Sequence, residues 1–232
     1  TGKEVHMNLD KLLKAQSFVI IGANDKPGFG AGSATNLPKG DGVRVYYLNP
    51  NRDELMGKPC YHSLEELPEI PDCMAMVVPK KLVNFYLEEG GKKGIKAAVV
   101  FASGFAEEGS EEGIALEKKA VEICQTYDIT LCGPNCIGFQ NYIDQVCGSD
   151  SDPCFGETKP ECGCGFVSQS GLITGGVIRM LRENLAYAVS AGNGPVCSVE
   201  DYLLYFASDP RVNVLAAYIE GIRNAQIFCE AL

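Results

Sequence analysis

Phe18-Val19-Ile20-Ile21-Gly22-Ala23-Asn24-Asp25-Lys26-Pro27-Gly28-Phe29-Gly30-Ala31-Gly32 decides the fold. Four apolar, mostly β-branched residues run straight into glycine, which reads as a buried strand entering a turn. Glycines at such a turn let the backbone approach a phosphate, and a following helix offers free N–H groups. The same strand signal recurs at 43–48, stopping at Asn49-Pro50, and at 74–78, stopping at Pro79. It recurs again at 97–101, before Ser103-Gly104, and at 129–132, before Gly133-Pro134. Helical patterns lie between these runs. Leu116, Ala120, Ile123, Cys124 and Tyr127 share one face of a helix from about Glu112 to Tyr127, with Ser110 as its cap. Another helix runs from Leu82 to about Gly90, a short one carries Leu9, Leu12 and Leu13, and Ser63 caps a further short one. Short continuous apolar strands alternating with helices predict an α/β fold, a doubly wound parallel sheet covered on both faces over residues 1–141.

Residues 142–162 break the rhythm with Gly, Asp, Ser, Pro and Cys and read as a linker. The α/β pattern resumes over 163–232. A strand at 165–168 meets Ser168-Gln169-Ser170-Gly171 and a helix from Leu172 to Glu183. A strand at 187–190 meets Gly192-Asn193-Gly194, and Ser198 with Asp201 spells a capping box. A strand at 214–219 meets Glu220-Gly221, and a last helix starts near Asn224. So short an α/β unit leaves a sheet edge open. The expectation is that the natural polypeptide continues or that a partner covers the edge.

Composition narrows the function. Of 232 residues 46% are hydrophobic and 22% charged, as in ordinary globular chains. Net charge is −10, from 20 basic and 30 acidic residues, which argues against nucleic acid as a partner. No apolar run approaches the ~18 residues a bilayer span needs, so no membrane association is expected. No basic-then-apolar leader opens the chain. Eleven cysteines, an odd number in a large chain, fit a reducing cytoplasm better than a disulfide scaffold. Cys147, Cys154, Cys162 and Cys164 crowd one polar stretch, yet their spacing matches no common metal knuckle. No metal site is assigned. Cys136 follows Pro134-Asn135 at a helix start, but lacks a histidine partner and reads as structural.

Which nucleotide the glycine turn takes is read from the second strand. A dinucleotide site usually places Asp or Glu at its end for the ribose. Asn49-Pro50 stands there instead, followed by Arg52 and Lys58, which suit an extra phosphate. NADP and coenzyme A both carry one.

The ordered series Gly22-Ala23, Asn49-Pro50, Val78-Pro79, Ser103-Gly104-Phe105-Ala106-Glu107, Gly133-Pro134-Asn135-Cys136-Ile137-Gly138, Ser168-Gln169-Ser170-Gly171, Gly192-Asn193 and Glu220-Gly221 covers nearly the whole chain. In it the chain resembles the CoA-binding and first ligase domains of NDP-forming acyl-CoA synthetases, relatives of the succinyl-CoA synthetase α subunit. The resemblance implies a Rossmann-like CoA-binding domain followed by an incomplete flavodoxin-like domain. It implies that acyl-CoA and phosphate exchange to acyl phosphate and CoA. A histidine then takes the phosphoryl group and passes it to ADP on an ATP-grasp domain or β subunit. It places coenzyme A on Gly22, Ala23, Asn24, Pro27, Gly28, Asn49, Arg52, Lys58, Val78, Pro79, Ser103 and Gly104. It places phosphate on Asn135, Ser168, Gln169, Ser170 and Gly171, and makes Glu220 the carboxylate that orients the active histidine.

The family's histidine lies downstream of Glu220. The two histidines present, His6 and His62, lack its Gly/Ser/Thr-rich context. ATP, ADP and Mg would enter only through the ATP-grasp part, and the chain alone is expected to bind but not turn over. Departures are Asn24 for a usual Ser, Cys132 for an aliphatic residue, and the cysteine-rich excursion. Two other classes stay open: a ligand-sensing module of a protein lysine acetyltransferase, and an NADP-linked oxidoreductase. Retained Glu220 favours the synthetase. Assembly as an oligomer is a further expectation.

Overall fold

The computed structural model describes residues 8–24, 42–151 and 155–232. Pro27, Gly28, His6 and Cys154 lie outside the described residues. After α1 (Asp10–Leu13) come β1 (Ser17–Ile21), β2 (Arg44–Leu48), β3 (Glu54–Leu55), β4 (Lys58–Tyr61), β5 (Cys73–Met76), β6 (Ala97–Val100) and β7 (Thr130–Cys132). These form a seven-stranded sheet in the order β3-β4-β2-β1-β5-β6-β7, parallel throughout except for the β3–β4 pair. The order reverses at β1, with β2 on one side and β5 on the other. Such a switch point opens a crevice at the carboxyl edge, where open α/β sheets bind ligands.

Every residue of β1 and β5 is buried. Successive side chains on a strand point to opposite faces, so each strand feeds two cores. Phe18, Ile20, Cys73 and Ala75 enter one; Val19, Ile21, Met74 and Met76 enter the other. The second core is roofed by α2 (Lys80–Lys93) and α3 (Glu111–Tyr127) through Val83, Leu87, Ala120, Ile123 and Cys124. Ser110 caps α3 as its sequence predicts, its Oγ accepting the Gly113 N–H at 3.1 Å. A cap of this kind is worth about 1 kcal/mol.

The second sheet holds β8 (Gly138–Asn141), β9 (Val146–Ser149), β10 (Gly163–Ser168), β11 (Leu185–Ser190) and β12 (Val212–Tyr218), in the order β12-β10-β11-β8-β9. β10 runs parallel to β11 and β12, while β8 is antiparallel to β11 and β9. The helices are α4 (Gly171–Leu181), α5 (Val199–Ser208) and α6 (Ala225–Ala231). At the α5 start the Asp201 carboxylate accepts from Ser198 N at 2.7 Å and Oγ at 2.8 Å.

The two sheets are not separate bodies on a linker. Leu12, Leu13 and Phe18 belong to the same buried cluster as Tyr187, Tyr202 and Phe206. Polar bonds close the seam: Asn141 Nδ2 donates to Leu13 O at 3.0 Å, and Tyr205 OH to Asp10 Oδ1 at 2.7 Å.

Four readings of the sequence change here. Cys136 opens no helix; it lies in the loop between β7 and β8. The stretch 142–162 carries β9, and its partner β8, left with the first unit by the sequence, pairs in the second sheet. The β3–β4 hairpin is new; Met56 (φ 53°) and Gly57 (φ 73°) form its two-residue turn, both left-handed as a type I′ turn requires. Ser63 starts no helix; the His62 N–H donates instead to Glu66 Oε2 at 2.8 Å within a set of turns. No helix among the described residues is long and apolar enough to cross a membrane.

Candidate functional site

The carboxyl ends of five strands, three from the first sheet and two from the second, converge on a cavity of about 810 Å³. Val77, Val78, Pro79 and Lys80 follow β5; Phe101, Ala102 and Ser103 follow β6. Asn135, Cys136 and Ile137 follow β7, Gln169, Ser170 and Gly171 follow β10, and Glu220 follows β12. The volume lies in the ~300–1,000 Å³ range of small-molecule sites. The lining mixes apolar groups (Val77, Val78, Pro79, Phe101, Ile137) with polar ones (Lys80, Ser103, Asn135, Gln169, Ser170, Glu220).

Of the residues expected from sequence, Val78, Pro79, Ser103, Asn135, Gln169, Ser170, Gly171 and Glu220 line this one cavity. Gly22 stands behind it. A Cβ there would lie 2.3 Å from Val77 O and 2.8 Å from Val78 Cγ1, and its φ is +83°, so the first turn and the β5 end touch backbone to backbone. Ala23 is buried beside it and Asn24 follows. Asn49 fixes that turn from β2: its Nδ2 donates to Ala23 O at 3.0 Å and its Oδ1 accepts from Asn51 N. Gly104 sits behind Ser103 against Lys80. Arg52 precedes β3 and Lys58 opens β4 within the hairpin, both outside the cavity lining. Ser168 is fully buried; its Oγ donates to Ser170 O at 3.0 Å and accepts from Ser170 N at 2.9 Å. It shapes the turn and does not face the cavity.

Two helix starts face the same space. Ser170 caps α4, and α4 has no acidic residue in its first turn. Helix α2 begins after Pro79 with no side-chain cap and no acidic first-turn residue, and Lys80 follows. Unpaired N–H groups and the positive end of the helix dipole make both starts receptive to anions. Lys80 is at present paired with Glu108 at 3.1 Å and Glu112 at 3.6 Å.

The sheets are tied together beside the cavity by Asn193. Its Nδ2 donates to Glu107 Oε2 at 2.6 Å and to Glu117 Oε2 at 2.7 Å. Its N–H donates to Pro134 O at 2.9 Å, and its Oδ1 accepts from Asn135 Nδ2 at 3.4 Å. Burial pushes the Glu107 pKa up, but bonds from Asn193 and the Gly104 and Phe105 N–H groups outweigh it and hold the group below its usual value. In the sequence Asn193 and Ile137 stand within motifs that give them no role, and Lys80 stands in none. The Pro79-Lys80 helix start was the available signal for Lys80.

Cys136 lies 4.0 Å from Cys132, sulfur to sulfur, and its Sγ donates to Val100 O at 3.4 Å. Burial pushes its thiol well up, and no histidine among the described residues lines the cavity. His62 sits at the far hairpin, 3.1 Å from Asp53. Cys147 is buried in β9 while Cys162 is exposed. No three potential metal ligands gather among the described residues.

Residues 16–142 match the family described as CoA binding domain, and residues 161–232 match the succinyl-CoA ligase like flavodoxin domain. An ADP-forming acetate–CoA ligase of Archaeoglobus fulgidus is 35% identical over 225 residues, 95% of this chain and 32% of that protein. The α subunit of an ADP-forming acetate–CoA ligase of Pyrococcus furiosus is 33% identical over 226 residues, 96% of this chain and 48% of that subunit. In structure the chain is similar to the Candidatus Korarchaeum cryptofilum dinucleotide-forming acetyl-coenzyme A synthetase 1 in complex with phosphate and ADP. That likeness has a TM-score of 0.83 and 28% identity, covering 97% of this chain and 48% of the other. The chain thus spans about a third to a half of the length of these relatives.

Proposed function

The chain belongs to the CoA-binding-domain family, and from that premise we propose that it is the α-like, CoA-binding portion of an ADP-forming acyl-CoA synthetase. The observation that carries the reading is the cavity itself. It brings the Val78-Pro79 and Ser103 edge of the first sheet opposite the α4 start and Glu220 of the second. Two features of the site support coenzyme A as its ligand. Val77, Val78 and Pro79 offer an apolar wall to its arm, and Gly22, packed against Val77, sets the first turn, assigned to the diphosphate, beside that wall. Ala23, Asn24, Pro27, Gly28, Asn49 and Gly104 complete the proposed cradle, and Arg52 and Lys58 are assigned to the outlying phosphate.

Asn135, Ser170 and Gly171 are assigned to inorganic phosphate, with Ser168 shaping the turn that presents the helix N–H groups. In the thioester-cleaving direction, phosphate oxygen held there attacks the acyl carbon and the CoA thiolate leaves, giving an acyl phosphate. A histidine ring nitrogen then takes the phosphoryl group and releases the carboxylic acid. Glu220 accepts a hydrogen bond from the other ring nitrogen and fixes the tautomer. Neither His6 nor His62 is assigned that role; the histidine is supplied with an ATP-grasp domain or β subunit, which also brings ADP and Mg. Such a partner implies an oligomer or a longer polypeptide. Free thiols at every described cysteine agree with a cytoplasmic setting.

Calorimetric titration of the chain with CoA, with NADP and NAD as controls, tests the reading. Micromolar binding of CoA without NAD(P) is expected, with a stabilisation of about 2.7 kcal/mol at a hundred times the dissociation constant. Tight NAD(P) binding without CoA binding would overturn it.

A further inference from the structure

The segment from Ile219 to Asn224, which carries Glu220, belongs to no strand or helix. Its order comes from side chains of neighbouring elements. Gln169 Oε1 accepts the N–H of Glu220 at 2.6 Å and of Gly221 at 3.0 Å, and its Nε2 donates to Gly221 O at 3.1 Å. Three residues on, Glu200 of α5, 1% exposed, accepts the N–H groups of Arg223 and of Asn224, the latter at 2.8 Å. The Arg223 guanidinium in turn donates to Asn193 O at 2.8 Å. An amide oxygen has two acceptor sites, so both on Gln169 are taken by backbone.

We infer that Gln169 and Glu200 are positioning residues: together they clamp the Glu220 segment and aim its carboxylate into the cavity, and Gln169 is not a phosphate ligand. An exposed carboxylate on an irregular segment would otherwise sample many directions, and a catalytic group must be held to within about 0.5 Å to act. The inference deepens the proposed function and rests on its reading of Glu220.

Two measurements test it. In this chain, amide hydrogen exchange at Glu220 and Gly221 should quicken in Gln169→Leu and recover in Gln169→Glu, which keeps an oxygen acceptor; unchanged protection would sink the clamp. In the assembled synthetase, Gln169→Leu should lower kcat roughly ten- to a hundredfold. The KM values for phosphate and CoA should stay within about twofold. The double variant Gln169→Leu/Glu220→Gln should be no slower than Glu220→Gln alone, because Gln169 acts only through Glu220. A raised phosphate KM at constant kcat would make Gln169 a ligand and overturn the inference, as would additive losses. A large loss in Glu220→Gln beside an unaffected Gln169→Leu would overturn it alone. Unchanged kcat in Glu220→Gln would bring down the reading of Glu220 and the inference with it.

Discussion

The two sheets border the same cavity but build their edges from different material. On the first sheet the edge is main chain against main chain. The N–H of Val77 donates to Ile21 O and that of Asn135 to Ala102 O, and Gly22 and Gly133 remove the Cβ atoms that would keep the strand ends apart. The second sheet's edge keeps main-chain bonds as well, from Ala191 N to Ser168 O and from Gln169 N to Tyr218 O, but it adds a set of polar side chains: Ser168 Oγ, the Gln169 amide, the Glu200 carboxylate and the Asn193 amide. Backbone contacts of the first kind tolerate most chemistry but no added volume. Contacts of the second kind tolerate volume but depend on a named donor or acceptor. The first sheet should therefore break on adding one methyl group, the second on losing one hydrogen bond.

Gly133→Ala should do the most damage. Its φ is +92°, and a Cβ would lie 2.4 Å from Val100 O and 2.9 Å from Cys136 Sγ. Left-handed backbone costs an ordinary residue about 1–2 kcal/mol, and moving a carbonyl adds more, so a loss of roughly 3 kcal/mol is expected in urea denaturation. A loss below about 1 kcal/mol would show that the edge is softer than its contacts imply. Asn193→Ala should cost less, about 2 kcal/mol, because two carboxylates lose a donor but only Glu117 is shut away from water. Asn193→Asp, which keeps the volume and puts a third carboxylate among them, should be no better; full stability in that variant would break the contrast.

The same division explains what the sequence disclosed. β1, β5 and β6 are legible because strands buried on both faces are apolar without interruption; β2 and β7, which carry Arg44 and Thr130, are legible from their short apolar runs and from the Asn49-Pro50 and Gly133-Pro134 turns that end them. α3 is legible because its period and its Ser110 cap are local. β8 and β9 are not, because their buried residues include Gln140, Asn141 and Ser149. Those groups are satisfied by Tyr142 OH at 2.7 Å, by Leu13 O, and by Ile137 O at 2.6 Å. Only the folded chain supplies such partners, and by hydropathy the segment reads as a linker. The β3–β4 hairpin has a two-residue strand, too short for any periodicity. At the cavity, strand-terminal residues such as Pro79, Ser103 and Glu220 are legible because parallel topology alone gathers carboxyl ends on one edge. Asn193 is not, since its amide meets carboxylates 86 and 76 positions away.

Glu107 is where the two kinds of edge meet, and it gives the smallest effect and the sharpest test of the contrast. Its carboxylate accepts the Phe105 N–H at 3.1 Å from its own sheet and Asn193 Nδ2 at 2.6 Å from the other. Burial pushes its pKa up, but the bond from Asn193 and those from the first sheet's N–H groups win, and the folded value lies below the ordinary 4.5. A carboxyl with a depressed folded pKa contributes stability in full above its unfolded value and loses it as pH falls through the folded one. Urea midpoints followed from about pH 6 down to about pH 3 should therefore fall less steeply in Glu107→Gln than in the parent chain. Solvent exposure of the group keeps the difference small. Asn193→Ala should remove part of the same acid slope, because the strongest bond opposing burial is gone. If Glu107→Gln flattens the slope and Asn193→Ala leaves it untouched, the first sheet's main chain alone holds this carboxylate ionised, and the side-chain tie from the second sheet is only structural.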